Sequence, residues 1–281
     1  MDLTETNFKI RNVTGDWIYG DARYLSNSSG MPLVVVLHGF KAWKDWGFFP
    51  YVCSRLANHG FITINFSYSL CGVTPGSDTI DLVDDFSENN PLIELEDIRL
   101  VIHEIRNAEK FADIRKLSNN ELILLGHSRG ASLAIVAAAE DNSISKIVCL
   151  CPIEKYDRFT QRQKEVWRTK GRLEFTDTPS GTKLFISSSY LEAIQSNNNR
   201  INPVKRIKEI DIPVAIIHAK QDVTVPMIES ENIFKYVNNT MSEYRIIEGA
   251  GHTFGSSHPF EGTNKKIEEV LEHIINFIRK K

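Results

Sequence analysis

Short, mostly apolar runs recur near residues 33–37, 61–66, 121–126, 145–150 and 213–218, and a mixed run at 244–248 also reads as a strand. In Leu33-Val34-Val35-Val36-Leu37 and Leu122-Ile123-Leu124-Leu125 no polar residue interrupts the run. A strand that is apolar at every position is buried on both faces, which is the habit of parallel sheets. Stripes of helical period stand between the runs. Leu92, Leu95, Ile98, Ile102 and Ile105 predict a helix over 91–109, and Ile267, Val270, Leu271, Ile274 and Ile278 another over 265–279. Both stripes are core faces. Two early antiparallel strands are expected over 8–13 and 17–25, and Ser26-Asn27-Ser28-Ser29-Gly30 reads as a hairpin loop. The alternation predicts an α/β protein: a mostly parallel, eight-stranded sheet with helices on both faces.

One stretch breaks this rhythm. Residues 152–210 separate two core strands by far more than one helix, and a link of that length without structure is uncommon in a domain. The pattern there predicts a polar helix over 157–168. A β-hairpin over 173–176 and 183–186 follows, about a Pro179-Ser180-Gly181 turn, then short helices over 188–197 and 203–209. The expected organisation is a core formed by 1–151 and 211–281, with 152–210 inserted as a small cap. Tyr156, Phe159, Trp167 and Phe175 in that cap either line a substrate pocket or pack among themselves.

The chemistry concentrates at three strand ends. Gly126-His127-Ser128-Arg129-Gly130 lies between an apolar run and a segment rich in helix formers, Ala131 to Ala139. A Gly-x-Ser-x-Gly in that setting is a nucleophile elbow, with Ser128 exposed at the tip of a sharp turn and aimed by the positive end of the following helix. A serine needs a base, and the base an orienting acid. Asp222 lies just past the run Pro213-Val214-Ala215-Ile216-Ile217-His218, and His252 lies in the glycine loop after Tyr244-Arg245-Ile246-Ile247-Glu248. His258 is the rival base, and Glu154 and Asp157 are rival acids. His38, His127 and His218 read as packed or backbone-fixing. In such sites one oxyanion donor is the backbone N–H after the nucleophile, here Arg129, and another comes from the loop after an earlier strand, here Phe40 in His38-Gly39-Phe40-Lys41. Trp43, Trp46, Phe48 and Phe49 follow that loop. Lys41 and Arg129 either give the site a positive edge or point to solvent and structural carboxylates.

These residues resemble an α/β-hydrolase from about Phe8 to the C-terminus, with Ser, Asp and His in the family's order. Within that superfamily the chain is similar to dienelactone-hydrolase-like and cinnamoyl (feruloyl) esterase-like serine hydrolases. His38-Gly39-Phe40, the elbow, Asp222-Val223-Thr224-Val225-Pro226 and Gly251-His252-Thr253-Phe254 carry the likeness. The resemblance implies a Ser128-His252-Asp222 triad, no cofactor, no metal, and hydrolysis of esters through an acyl-enzyme. The chain departs from dienelactone hydrolases, whose nucleophile is usually cysteine, and from cinnamoyl esterases, which commonly carry glutamine after the nucleophile. The expected pocket includes Lys41, Trp43, Tyr156, Phe159, Trp167 and Phe254.

Composition narrows the partners. At 281 residues the chain can bury one sizeable core, and a net charge of −3 argues against a nucleic-acid surface. No apolar run approaches the roughly 18 residues of a membrane span, and the first residues carry no secretory pattern. Cys53, Cys71, Cys149 and Cys151 fit neither a zinc site nor a disulfide framework, so buried thiols in a reducing cytoplasm are expected. The expected partner is a small-molecule ester, with no nucleic acid, no membrane and room for a homodimer. Acyl transfer or thioester cleavage, a prolyl-oligopeptidase-like peptidase and a non-catalytic binding protein on the same fold are the competing readings.

Overall fold

A computed structural model describes residues 2–177 and 181–280. From the N-terminus come β1 (Leu3–Arg11), β2 (Trp17–Leu25), β3 (Met31–Leu37), α1 (Phe49–Asn58), β4 (Ile62–Ser67), α2 (Val83–Glu88), α3 (Pro91–Asn107), α4 (Ala112–Leu117), β5 (Ser118–His127), α5 (Arg129–Glu140) and β6 (Ile144–Leu150). Then follow α6 (Gln161–Lys170), β7 (Arg172–Thr176), β8 (Lys183–Ser187), α7 (Ser188–Ser196), α8 (Asn198–Ile201) and α9 (Pro203–Arg206). The chain ends with β9 (Val214–Ala219), α10 (Met227–Phe234), β10 (Glu243–Ile247) and α11 (Lys265–Arg279).

Eight strands form one sheet in the order β1-β2-β4-β3-β5-β6-β9-β10. β2 runs antiparallel to both of its neighbours, and the six strands β4, β3, β5, β6, β9 and β10 are mutually parallel. The uninterrupted apolar runs are explained by the two cores they serve. Leu33, Val35 and Leu37 face the layer of α3 and α5, while Val34 and Val36 face the layer of α1 and α11. β5, β6 and β9 alternate in the same way. On α11 the stripe from Ile267 to Ile278 is buried as expected, each aliphatic side chain contributing about 1.5–3 kcal/mol by leaving water. From β3 the chain turns outward to β4, then crosses back to β5 on the other side of β3. The strand order reverses there, which is where open α/β sheets carry their sites.

The segment 26–30 is not a hairpin loop. β4 lies between β2 and β3, so the link steps across a strand rather than joining neighbours. All six residues of β4 are buried, and a central strand of this kind takes a partner on each edge. The tight antiparallel turn is instead Asn12 to Asp16, where Asn12 Oδ1 accepts from the amides of Thr14 and Asp16.

The inserted stretch folds as helix, hairpin and short helices. Its first helix starts at Gln161, later than the polar pattern suggests, because Thr160 and Gln163 form a reciprocal cap. Asp157 lies outside the helix and bonds Lys164. β7 and β8 pair antiparallel, Leu173 opposite Ile186. Pro179 and Ser180 of the expected Pro179-Ser180-Gly181 turn fall outside the described residues. The insertion is not a separate body: Trp167, Leu173, Ile186, Tyr190 and Leu191 belong to the same buried cluster as α3 and α5.

β3, β5 and α5 meet through glycines. A Cβ on Gly126 would strike the Gly130 carbonyl and the Ala131 backbone, and one on Gly130 would strike the carbonyls of Leu37 and His38. Both obstacles are backbone and cannot move aside. Gly130→Ala should therefore lower the free energy of unfolding by about 3 kcal/mol or more. Urea unfolding checks this, and a loss below about 1 kcal/mol would show that the elbow yields.

Candidate active site

The sharp turn between β5 and α5 holds Ser128 at φ 56° and ψ −119°, a left-handed conformation that is strained for a side-chain-bearing residue. The surroundings enforce it. Ser128 N–H donates to Leu150 O at 2.7 Å, at the end of β6, and Ser128 O accepts from Ala131 and Ser132. Gly39 packs against the elbow, and a Cβ there would lie 3.1 Å from Ser128 Cβ.

Asp222 sits in the loop after β9. Its Oδ1 accepts from the amides of Thr224 (2.9 Å) and Val225 (2.8 Å), and its Oδ2 accepts from His252 Nδ1 at 2.6 Å. Burial pushes the Asp222 carboxyl up, but the His252 hydrogen bond and charge, with the Val225 amide and His218, outweigh it and hold the net value below the usual range. The His252 loop is lashed to the Asp222 loop by Gln221, whose amide donates to Ala250 O and whose Oε1 accepts from Ala250 N–H, each at 3.0 Å. A third clamp comes from inside the elbow, where His127 Nε2 donates to the His252 carbonyl at 2.9 Å.

The other histidines hold backbone. His38 bonds the Gly39 carbonyl through Nδ1 and accepts from the Tyr68 amide through Nε2, fixing the loop that carries Phe40. His218 donates to Val225 O and lies 3.6 Å from Asp222 Oδ2. His258 accepts from Gly47 N–H at 3.0 Å and donates to Asp78 O at 3.1 Å, its ring stacked on Trp46 and edge-on to Trp43. Both of its nitrogens are occupied, and it pairs with no described acid. Of the rival acids, Glu154 accepts from Asn232 and Asp157 from Lys164.

Ser128 and His252 open onto one cavity of about 770 Å³. Phe40, Lys41, Trp43, Tyr156 and Phe159 line it. Trp167 and Phe254 do not. Trp167 is wholly buried, stacked on Tyr190 and edge-on to Phe159, so it supports the wall from behind. Phe254 is buried near the His127 ring and anchors the His252 loop. Phe48 and Phe49 likewise pack on His127, and Phe175 packs on Phe40 and Phe86. Lys41 bonds Asp177 at 2.7 Å, Arg129 pairs with Glu94, and Arg158, also on the wall, bonds Glu229 and Thr224 O. These cations face carboxylates, so they give the site no free positive edge. The sequence reading missed Asp78, Thr79 and Ile80, which close one side of the cavity. Their signal was available: the link from β4 to α3 is long enough to raise the suspicion that marked 152–210. All four cysteines are free and buried, and no described helix is long and apolar enough to cross a membrane.

Comparison with known proteins agrees with the fold. The Alpha/beta hydrolase family model matches residues 34–266, and the chain belongs to that family. It is 22% identical to monoacylglycerol lipase ABHD6 of Rattus norvegicus, over 87% of this chain and 77% of that one. Among solved structures it is similar to Est1E from Butyrivibrio proteoclasticus with bound ferulic acid (TM-score 0.70, 20% identity, 96% of this chain and 97% of that one). It is also similar to a putative dienelactone hydrolase from Klebsiella pneumoniae (TM-score 0.63, 14% identity, all of both chains). The chain is thus a member of the hydrolase fold with esterase- and lipase-type neighbours.

Burial lowers the pKa of His38 and of His127 from 6.5 to about 3. Both stay neutral in the folded chain while the unfolded chain takes up two protons near pH 6.5. Their stabilising contribution is whole above that pH and is lost as pH falls toward 3. Between pH 7 and 5.5 these two rings should take about 2–3 kcal/mol from the free energy of unfolding, while the buried Asp97 carboxyl, pushed up to about 7, should return about 1–2 kcal/mol by gaining a proton in the folded chain, leaving a net fall of about 1 kcal/mol. Urea midpoints at the two pH values check this, and equal midpoints would contradict it.

Proposed function

We propose that this chain is a serine hydrolase of carboxylic esters that works through an acyl-enzyme. The observation that carries the reading is the 2.6 Å Asp222–His252 bond opening, with the strained Ser128, onto one cavity. His252 Nε2 takes the Ser128 hydroxyl proton as Oγ attacks the ester carbonyl. Asp222 fixes the ring with Nδ1–H toward itself and stabilises the imidazolium. The amides of Phe40 and Arg129 receive the oxyanion; no described residue accepts from the Phe40 N–H, which leaves it available. The imidazolium then protonates the departing alkoxide. Water gives its proton to His252, attacks the acyl carbonyl, and Ser128 leaves with that proton while the acid is released.

The cavity supports a neutral substrate with a small, medium or flat aromatic acyl group. Its walls are largely rings and branched aliphatics, and its Lys41, Arg129 and Arg158 are already paired. Residues 152–210 act as the cap, since Tyr156, Phe159, Ile186 and Tyr190 supply one wall. The free buried thiols support a reducing compartment such as the cytoplasm.

Ser128→Ala should lower turnover by about 10⁶ and His252→Ala by a similar factor, with the fold kept. His258→Ala removes part of a wall but not the proton acceptor and should stay within about tenfold of the parent. A fluorophosphonate should label Ser128. Labelling elsewhere, or loss of turnover with His258 rather than His252, would sink the assignment.

Across p-nitrophenyl esters of lengthening acyl chain, each methylene that still fits should raise kcat/KM by about fourfold, the worth of some 0.8 kcal/mol. The gain should stop once the cavity is filled and then reverse. A steady rise to long chains would turn the reading from esterase toward lipase.

A further inference from the structure

Arg129, the residue after the proposed nucleophile, is almost wholly inaccessible, and its partner Glu94 in the first turn of α3 is fully so. Arg129 Nη2 donates to Glu94 Oε1, and Asn89 Nδ2 donates to the same oxygen at 2.9 Å. The guanidinium lies over the ring of Phe40, 4.6 Å from its centroid. Phe40 in turn packs on Phe86 and on Phe175 of the insertion. The Tyr190 hydroxyl, also from the insertion, stands beside Arg129. One side chain therefore touches the loop after β3, the start of α3 and the insertion, while its own backbone begins α5.

The pair is a poor device for stability alone. Arg129 Nε and Glu94 Oε2 are buried with no hydrogen-bond partner. A buried ion pair left so incompletely satisfied can be replaced by apolar groups of similar volume at little cost or with a gain. The pair's location gives it another use. Phe40 and Arg129 are the two residues whose backbone amides are proposed to hold the oxyanion, and the guanidinium–ring contact joins them side chain to side chain. A cation at a helix N-terminus is also unfavourable, and Glu94 offsets that charge where negative charge must later develop.

We infer that Glu94 is a positioning residue for the ester hydrolysis proposed above: through Arg129 and the Phe40 ring it sets the spacing of the two oxyanion amides and couples it to the insertion. The inference rests on that reading of the site. Donors aimed at the oxyanion contribute in the transition state and little to ground-state binding.

Glu94→Gln keeps the size and loses the charge. It should lower kcat by about 10–100-fold, the scale of a misplaced donor, with KM within about threefold. The rate at which a fluorophosphonate labels Ser128 should fall by the same factor, because the phosphoryl oxygen occupies the same hole. The double variant Glu94→Leu/Arg129→Met guards against simple unfolding. It should melt close to the parent, and yet its kcat and labelling rate should stay depressed. Unchanged kcat and labelling in Glu94→Gln, a change confined to KM, or a double variant that regains full turnover would each overturn the inference. Absence of Ser128 labelling in the parent protein would instead remove the proposed function itself.

Discussion

The backbone contact between the end of β3 and the start of α5 is the constraint on which the site depends. Gly130 touches the carbonyls of Leu37 and His38, and Gly126 touches the turn that follows it. No side chain fits at either place, so the elbow can close only as tightly as it does if both are glycine. That closure forces Ser128 to positive φ. The cost of such a conformation, of order 1–3 kcal/mol, is carried by the packing of the parallel strands around it. The same contact brings Gly39 beside Ser128, and so decides where the Phe40 amide can lie relative to the hydroxyl.

Around that point, polar groups are used to fix backbone and not to charge the cavity. His38, His127 and His218 each bond a carbonyl of a loop that bears a site residue: Gly39 before Phe40, His252 itself, and Val225 after Asp222. Burial keeps His38 and His127 neutral, which suits groups that must donate to a carbonyl without adding charge beside the Asp222–His252 pair. The cations on the cavity wall follow the same economy, each facing a carboxylate. A site arranged in this way leaves Asp222 and the imidazole as the principal electrostatic actors.

Much of this was legible in the sequence, for definite reasons. The central strands were visible because both faces are buried, which makes their runs mostly apolar. Ser128 and Asp222 were visible because each sits at the C-terminal end of such a run, and His252 because its glycine loop follows the next strand, β10. The strand pairing of 26–30 was not, since hydrophobic pattern gives burial but not which strand lies between two others. The pocket was read only in part. Trp43, Tyr156 and Phe159 line it, but Trp167 and Phe254 are as apolar and as near in sequence and lie behind the wall. Nothing in composition separates a ring that lines a cavity from one that supports it. Glu94 was invisible for a further reason: it and Arg129 are thirty-five residues apart, on helices with no shared period.

Trp167 bears on how the cavity's shape is kept. It is fully buried, stacked on Tyr190 and edge-on to Phe159, and both of those rings line the cavity. The cluster they belong to runs without a break into α3 and α5. A wall moving as a rigid lid would have to expose that shared core, at about 25 cal/mol for each Å² of apolar surface uncovered. The inserted stretch is therefore fixed more firmly than its position over the site suggests. Under the proposed function, selectivity would rest on the standing form of the cavity: which rings face it, and how far the wall of Tyr156, Phe159 and Tyr190 stands from Ser128. Under that reading, changes to Trp167 would act on specificity indirectly, by letting those rings shift, since Trp167 itself does not line the cavity.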